Sequence, residues 1–126
     1  MKFFRLLLLL LLALQTQSEQ LKNILFVGNS YLYYNNSVHN YVEPMLREHH
    51  GSEIETKLSA IGGSKLHHHN IDHLLNPKNL NLDQQIDLLI MQGGSTEVVS
   101  EKDQEKFIQT VQQYSCLLYT SDAADE

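Results

Sequence analysis

The chain has 126 residues, a formal net charge of −6 and 42% hydrophobic residues, which is enough for one small domain and too apolar for a disordered chain. The acidic balance argues against nucleic acid as a partner, because binding to phosphates needs a basic surface. A single Cys excludes both a disulfide framework and a Cys-based zinc site.

The first 18 residues have the form of an export signal. Lys2 and Arg5 precede the apolar run Leu6–Leu14, which is too short for a transmembrane helix of about 20 residues. Small residues at Thr16 and Ser18 suit cleavage after Ser18. We therefore expect a secreted or periplasmic protein with no stable membrane span after cleavage. An uncleaved anchor is the alternative.

The last eleven residues, Cys116–Glu126, resemble a sequence that is not native to a protein. They match, residue for residue, the translation of a common sequencing adapter. This resemblance predicts that residues 19–115 are the N-terminal part of a longer natural domain. No chemistry should then be assigned to Cys116. A genuine C-terminal tail is the alternative.

Three short apolar runs predict β-strands at 22–27, 53–60 and 87–92. The first and third are continuously apolar, as in parallel strands that are covered on both faces. The second alternates between polar and apolar residues at its start, which suggests one exposed face near an edge of the sheet.

A helical pattern follows each strand. The first helix is predicted to begin at Asn36 or Ser37 and to end at Gly51, with a kink or break just before Pro44. The second covers 65–75. The third begins at Ser100, with Asp103 in a capping-box position. The apolar positions expected to face the core are Val38, Tyr41, Val42, Met45 and Leu46 in the first helix, Leu66, Ile71, Leu74 and Leu75 in the second, and Phe107, Ile108, Val111 and Tyr114 in the third.

This alternation of strands and helices predicts an α/β fold with a parallel sheet between two helical layers. A glycine and a hydroxyl residue follow each strand, at Gly28-Asn29-Ser30, at Gly62-Gly63-Ser64 and at Gly93-Gly94-Ser95-Thr96. Ligands of open parallel sheets bind beyond the carboxyl ends of the strands, so we expect these loops to meet there. The pattern fits both a serine nucleophile and a backbone cradle for phosphate.

These segments resemble three sequence blocks of the SGNH/GDSL hydrolase superfamily. Ile24–Tyr31 is similar to the first block, with Asn in place of Asp, and Ile61–Ser64 is similar to the second. Asp87–Glu97 occupies the place of the third. The resemblance implies a three-layer α/β/α fold of the flavodoxin type, present here as its N-terminal half. It also implies ester hydrolysis through an acyl-enzyme, without a metal or cofactor.

Within this resemblance, Ser30 is the nucleophile, and the backbone N–H groups of Ser30 and Gly63 hold the oxyanion. The third block departs from the family, because the usual Gly-x-Asn-Asp is Gly94-Ser95-Thr96-Glu97 here. The Gln92 amide, or the Thr96 hydroxyl, would then replace the Asn donor. The family's Asp-x-x-His block, which supplies the base, is absent from this sequence. The chain as it stands is therefore expected to be inactive.

Two function classes follow. The first is an exported serine esterase that acts on a small-molecule ester or an acylated carbohydrate. The second is a non-catalytic domain of the same fold that binds a sugar or an anion. The retained Gly28-Asn29-Ser30 favours the enzyme, whereas the missing Asn favours the binding domain.

The histidine cluster His67, His68, His69 and His73 is a candidate metal site, since His69 and His73 would lie one helical turn apart. No third ligand has a clear spacing, so we expect a solvated helical face and no metal.

Three tyrosines, Tyr31, Tyr33 and Tyr34, follow the predicted nucleophile. They either line an acyl or sugar pocket or pack beneath the loop. The sequence does not separate these two interpretations.

Overall fold

The structure is a computed structural model that describes residues 21–51 and 53–122, without the side chains of Ser121 and Asp122. The predicted signal peptide, residues 1–18, lies outside the described residues, as do the last four residues of the adapter-like segment.

Three parallel strands form the described sheet: β1 (Asn23–Gly28), β2 (Glu55–Ala60) and β3 (Leu88–Met91). Their order is β2-β1-β3, and Phe26 at the centre of β1 is paired with Leu58 on one side and Ile90 on the other. Helices cover both faces. The predicted α/β class is therefore confirmed, as an open parallel sheet consistent with part of a flavodoxin-like fold.

In the described part of the chain, four α-helices and three 3₁₀ turns connect and follow the strands. The helices are α1 (Ser30–Tyr33), α2 (Val38–His50), α3 (Ile71–Leu75) and α4 (Glu101–Asp122), and the 3₁₀ turns are Leu66–His68, Pro77–Leu80 and Ser95–Val98. No helix in the described part of the chain is both long enough and apolar enough to cross a membrane.

The central strand β1 divides the core in two, because successive side chains of a strand point to opposite faces. All six of its residues are buried. Leu25 and Val27 face the layer of α3 and α4, and Ile24 and Phe26 face the layer of α1 and α2. The continuous apolar run of β1 is thus explained by cover on both sides.

The face under α3 and α4, called here the first face, holds the larger core. Its buried residues are Leu25, Val27, Leu66, Ile71, Leu75, Leu82, Ile86 and Tyr114. Leu82 and Ile86 come from the connection between the predicted helix at 65–75 and the predicted strand at 87–92. This connection contributes core residues although it is not a regular helix.

The face under α1 and α2, called here the second face, has the buried residues Ile24, Phe26, Leu32 and Ile54. Val42 and Leu46 of α2 pack partly against them. Val38, Tyr41 and Met45 are exposed, so the prediction that they face the core is wrong. The physical reason is the position of α2, which lies along the edge strand β2 and presents only part of its apolar stripe to the sheet.

Polar side chains attach α2 to β2. The Glu43 carboxylate accepts hydrogen bonds from the Thr56 backbone N–H at 3.1 Å and from its hydroxyl at 2.5 Å. Arg47 donates from Nε to the Ile54 carbonyl at 2.8 Å. These contacts flank Pro44, and α2 continues through it, so the predicted break is wrong, while the alternative of a kink stays a prediction. Contacts on both sides of Pro44 hold the two halves of the helix on one strand.

Both ends of α2 lie where the sequence predicts them, with Ser37 before the first helical residue and Gly51 after the last. Gly51 ends the helix, and its N–H donates to the Arg47 carbonyl at 3.0 Å. At the start, Ser37 has a φ of 65° and its side chain makes no capping hydrogen bond. The Asn40 amide instead donates to the Asn36 carbonyl at 2.7 Å. The predicted cap position at Ser37 is therefore confirmed, although its side chain makes no capping hydrogen bond.

The single helix predicted over 65–75 is also wrong. The chain forms a 3₁₀ turn at Leu66–His68, becomes extended at His69 and then starts α3 at Ile71. The side chain of Asn70 caps α3 by accepting from the His73 N–H at 3.2 Å. Because this cap starts a new helix, His69 and His73 do not lie one turn apart.

The third predicted helix is confirmed as α4, with its predicted cap. Ser100 Oγ accepts from the Asp103 N–H at 3.2 Å and donates to the Asp103 carboxylate at 2.8 Å. Tyr114 is buried as expected, whereas Ile108 is 54% exposed and does not face the core. The helix runs past Ser115, and Leu117 and Leu118 pack partly against the first face.

Candidate active site

The loops that follow the three strands meet at one residue, Asn29. Its side chain is 3% exposed, and its amide Nδ2 donates to the carbonyls of Ser64 and Gly93, both at 3.2 Å. Its Oδ1 accepts from the Tyr31 N–H at 3.2 Å and so caps α1. One buried amide thus joins the loops after β1, β2 and β3. The prediction that these three loops meet is confirmed.

Ser30 lies at the turn from β1 into α1, directly after Asn29. It is the first residue of α1 and is half-buried. No described residue forms a hydrogen bond with its hydroxyl. The turn therefore holds the backbone of Ser30 through its neighbour Asn29, while the hydroxyl itself is available to an outside group.

Two backbone N–H groups near this turn are also available. Neither the Ser30 N–H nor the Gly63 N–H donates to another described residue. Gly63 has a φ of 70°, which a residue with a side chain rarely adopts, and a Cβ there would meet no atom within 4 Å. Asn29 and Ser64 are in contact through a hydrogen bond. Ser30 directly follows Asn29 in the chain, and Gly63 directly precedes Ser64. The structure thus brings together two of the predicted oxyanion donors.

Gln92, the third predicted donor, is placed differently. Its Oε1 accepts from the Asn29 N–H at 3.2 Å, and its Nε2 contacts the Gly93 carbonyl. Both ends of the amide are therefore occupied by loop backbone. Thr96, the other candidate, is exposed in the 3₁₀ turn Ser95–Val98. No hydrogen bond joins either side chain to Ser30 in the described structure.

Glu97 organises the loop after β3, a role that the sequence did not indicate. It is 1% exposed, and its carboxylate accepts from the Gly94 N–H at 2.5 Å and from the Leu66 N–H at 3.1 and 3.2 Å. A Cβ at Gly94 would lie 2.9 Å from the Ser64 carbonyl, so this close approach requires glycine. An acidic residue three positions after a turn residue is a capping-box signal that could have indicated this contact.

His69 lies behind the same loops and is only 6% exposed. Its Nε2 is 2.8 Å from the Gly28 carbonyl and 3.3 Å from Ser64 Oγ, and its Nδ1 is 3.3 Å from Ser59 Oγ. The prediction of a solvated helical face is therefore wrong for His69, because the chain is extended there and turns the ring inward.

Burial lowers the pKa of His69, although its hydrogen bond to the Gly28 carbonyl acts in the opposite direction. The ring is therefore neutral at neutral pH. A carbonyl can only accept, so Nε2 carries the proton and donates it to Gly28, and Nδ1 accepts from Ser59. His69 thus ties the end of β1 to β2, beside the turn that carries Ser30.

The neighbouring histidines have other environments. His67 is half-buried with Nδ1 3.9 Å from the Glu97 carboxylate, and burial lowers its pKa. His68 and His73 are exposed. Within residues 21–51 and 53–122, no three His, Cys, Asp or Glu side chains form a group that could hold a metal ion.

The long helix α4 supports this arrangement from the first face. The Tyr114 hydroxyl donates to the carbonyls of Leu66 and His69 at 3.0 and 2.8 Å, and burial raises its pKa. Lys65 Nζ lies 2.5 Å from the Asp103 carboxylate, and this hydrogen bond lowers the pKa of Asp103. The segment from Lys65 to His69 is therefore fixed at both ends to α4.

A cavity of about 460 Å³ lies elsewhere, lined by Asn76, Pro77, Lys78, Leu82, Asp83, Gln84 and Gln85. The Asn23 amide donates to the carbonyls of Gln84 and Gln85, which places this cavity at the amino end of β1. It is therefore at the opposite end of the sheet from Ser30.

Comparison of the chain with protein-family models, with curated proteins and with solved structures gave no match. The functional assignment therefore depends on the residues and geometry described above.

Proposed function

We propose that this chain carries the nucleophile and part of the oxyanion hole of an exported serine esterase of the SGNH type. The observation that carries the proposal is the bridge from Asn29 to Ser64 and Gly93. It brings the turn of Ser30 next to the loop of Gly63, and both residues keep an available backbone N–H. The substrate would be a small-molecule ester or an acylated carbohydrate, with no cofactor.

In the proposed reaction, Ser30 Oγ attacks the carbonyl carbon of the ester and forms a tetrahedral intermediate. The negative charge on the former carbonyl oxygen is held by the N–H groups of Ser30 and Gly63. Donors fixed in this way lower the activation free energy by roughly 3–4 kcal/mol each in comparable sites. The alcohol then leaves, and water hydrolyses the acyl-enzyme and restores the Ser30 hydroxyl.

The attack needs a base that accepts the Ser30 proton, and the alcohol needs that proton to leave. No described histidine or carboxylate forms a hydrogen bond with Ser30 Oγ. His69 does not serve, since its Nε2 donates to the Gly28 carbonyl and its Nδ1 faces Ser59. The proposal therefore assigns the base to an Asp-x-x-His block outside this sequence, and we expect the 126-residue chain alone to be inactive.

A fluorophosphonate probe, which reacts with activated serines, tests this on the complete natural chain. We expect labelling that is lost in Ser30→Ala. Ser95→Ala is the matched control, because Ser95 is an exposed serine of the loop after β3, and it should be labelled as strongly as the parent. Absence of labelling in folded complete protein, or equal loss in both variants, would contradict the proposal.

One observation favours the second candidate, a non-catalytic binding domain of the same fold. The Gln92 amide is occupied by Asn29 and Gly93, so β3 presents no side-chain amide to an oxyanion. A folded complete protein that binds a sugar or an anion at these loops but is not labelled at Ser30 would select this candidate.

A further inference from the structure

The segment that follows Ser30 has an unusual composition for this chain. Four of the six tyrosines lie between positions 31 and 41, together with several asparagines and serines. Residues 23–42 contain no Asp, Glu, Lys or Arg, although such residues make up 19% of the chain. His39 is the one histidine of this stretch.

The structure separates the two interpretations of these tyrosines. Tyr31 is 59% exposed, Tyr33 is 40% exposed and Tyr34 is 61% exposed. They therefore do not pack beneath the loop, where Leu32 is the residue that enters the core. Exposed aromatic rings that cluster in this way typically mark a binding surface.

The rings are held next to the candidate active site. Tyr33 and Tyr34 contact each other edge to face, with centroids 5.5 Å apart and planes inclined by 63°. The Tyr33 hydroxyl reaches the loop after β2, where a Cβ at Gly62 would lie only 3.0 Å from it. Tyr33 therefore connects the turn of Ser30 to the loop that carries Gly63.

The turn after these tyrosines is strained. Asn35, Asn36 and Ser37 have φ angles of 51°, 69° and 65°, in the region that residues with side chains rarely adopt. Such strain is concentrated at functional sites. Here it presents two exposed asparagines beside the tyrosine rings.

We propose that Tyr31, Tyr33 and Tyr34, with Asn35 and Asn36, form a platform that binds a neutral saccharide next to Ser30. The C–H faces of a sugar ring stack on aromatic rings, and its hydroxyls exchange hydrogen bonds with amides and phenols. The lack of charged side chains suits a neutral ligand rather than an anion. An open platform suits a sugar better than an acyl chain, which needs an enclosed apolar cleft.

This inference rests on the proposed function for the role of Ser30, which would cleave an ester carried by the bound sugar. Binding itself does not need that reaction. In the complete natural chain, Ser30→Ala should therefore bind saccharide as well as the parent does, while it loses labelling by the fluorophosphonate probe. If saccharide binds but Ser30 is never labelled, the platform stands and the esterase proposal fails.

The experiment titrates the intact chain with xylotetraose, cellotetraose and chitotetraose while tyrosine fluorescence is recorded. The chain has no Trp, so the signal comes from its six tyrosines. We expect at least one saccharide to bind, with affinity at least tenfold weaker in Tyr31→Ala and Tyr34→Ala. Tyr34→Phe should retain most of the affinity, because stacking needs the ring.

Tyr119→Ala is the matched control, because Tyr119 is 75% exposed near the end of α4, and it should bind like the parent. Three results would overturn the platform. The first is no binding of any of the three saccharides by folded protein. The second is binding of octanol, but not saccharide, that depends on Tyr31 and Tyr34. The third is a concentration-dependent dimer in sedimentation that the same substitutions abolish.

Discussion

Among the described residues, eight hydrophobic residues are buried on the first face of the sheet, under α3 and α4, whereas four are buried on the second face, under α1 and α2. No residue of α2 is buried, and polar side chains attach it to β2. The more closely packed face lies behind the loops of the candidate site, and the more open face bears the exposed tyrosines. The first face of the sheet thus supports the loops of the candidate site, whereas the second face leaves exposed surface beside them.

The largest expected effect comes from the core of the first face. Leu66→Ala removes a side chain that is fully buried next to the loop after β2. We expect a loss of about 2–5 kcal/mol in the free energy of unfolding, from lost transfer energy and the remaining cavity. Met45→Ala on α2 is the control and should change stability by less than about 0.5 kcal/mol, since Met45 is exposed. Urea denaturation measures both, and equal losses would contradict the comparison.

A smaller effect is expected where α4 is attached to the site. Tyr114→Phe keeps the ring but removes the hydroxyl that donates to the buried Leu66 and His69 carbonyls. Two acceptors then lose a partner, which should cost about 1–3 kcal/mol. Tyr119→Phe, at an exposed tyrosine of the same helix, should leave the midpoint of urea denaturation unchanged. If Tyr114→Phe also leaves it unchanged, the hydroxyl does not fix the 65–69 segment.

On the second face, the corresponding attachment is Glu43. Glu43→Ala removes the acceptor of the Thr56 N–H and hydroxyl. It also removes the ion pair that the carboxylate forms with Arg47 at 2.9 Å. We expect a cost of about 1 kcal/mol, because Thr56 is buried in an edge strand and loses its partner. Glu48→Ala, at an exposed position of the same helix, serves as the control. A loss as large as that of Leu66→Ala would show that polar contacts hold this face as firmly as apolar packing holds the first.

The smallest effect is a dependence on pH. Burial lowers the pKa of folded His69 below its ordinary value of 6.5. Below about pH 6.5, His69 binds a proton in the unfolded chain more readily than in the folded chain. The contribution of neutral His69 to stability is therefore fully present above that pH, and it is lost as the pH falls toward the lowered pKa. The lowered pKa of His67 acts in the same direction.

Urea denaturation at pH 8.0 and pH 5.5 should therefore show a smaller loss in acid for His69→Gln than for the parent chain. His73→Gln is the matched control, because His73 is exposed, and it should keep the parent's dependence. If His69→Gln loses as much stability in acid as the parent chain does, a group other than His69 causes the pH dependence.

Much of the fold could be predicted because its signals are local. The apolar run of β1, the Ser100 cap and the Gly51 end each depend on a few neighbouring residues. The meeting of the strand-end loops also followed from topology alone, since parallel strands bring their carboxyl ends to one edge. Which residue joins them could not be predicted, because the contacts of Asn29 span 35 and 64 positions of the chain.

The predictions that failed needed knowledge of packing. The apolar stripe of α2 predicted burial, but the position of α2 along β2 leaves Tyr41 and Met45 exposed. His69 was expected on a solvated helix because the 65–75 pattern reads as continuous. An Asn immediately before Ile71 was a signal for a new helix start and could have corrected this expectation.

The amide of Asn29 also limits how the loops can change in length. A residue inserted between Gly28 and Asn29, or between Gly63 and Ser64, would move one end of a hydrogen bond of 3.2 Å and leave a buried donor without its acceptor. Variation should therefore be tolerated in the exposed turn at 35–36 and rejected at the three strand ends. A library that randomises loop length could use this difference to change the ligand while it keeps the site assembled.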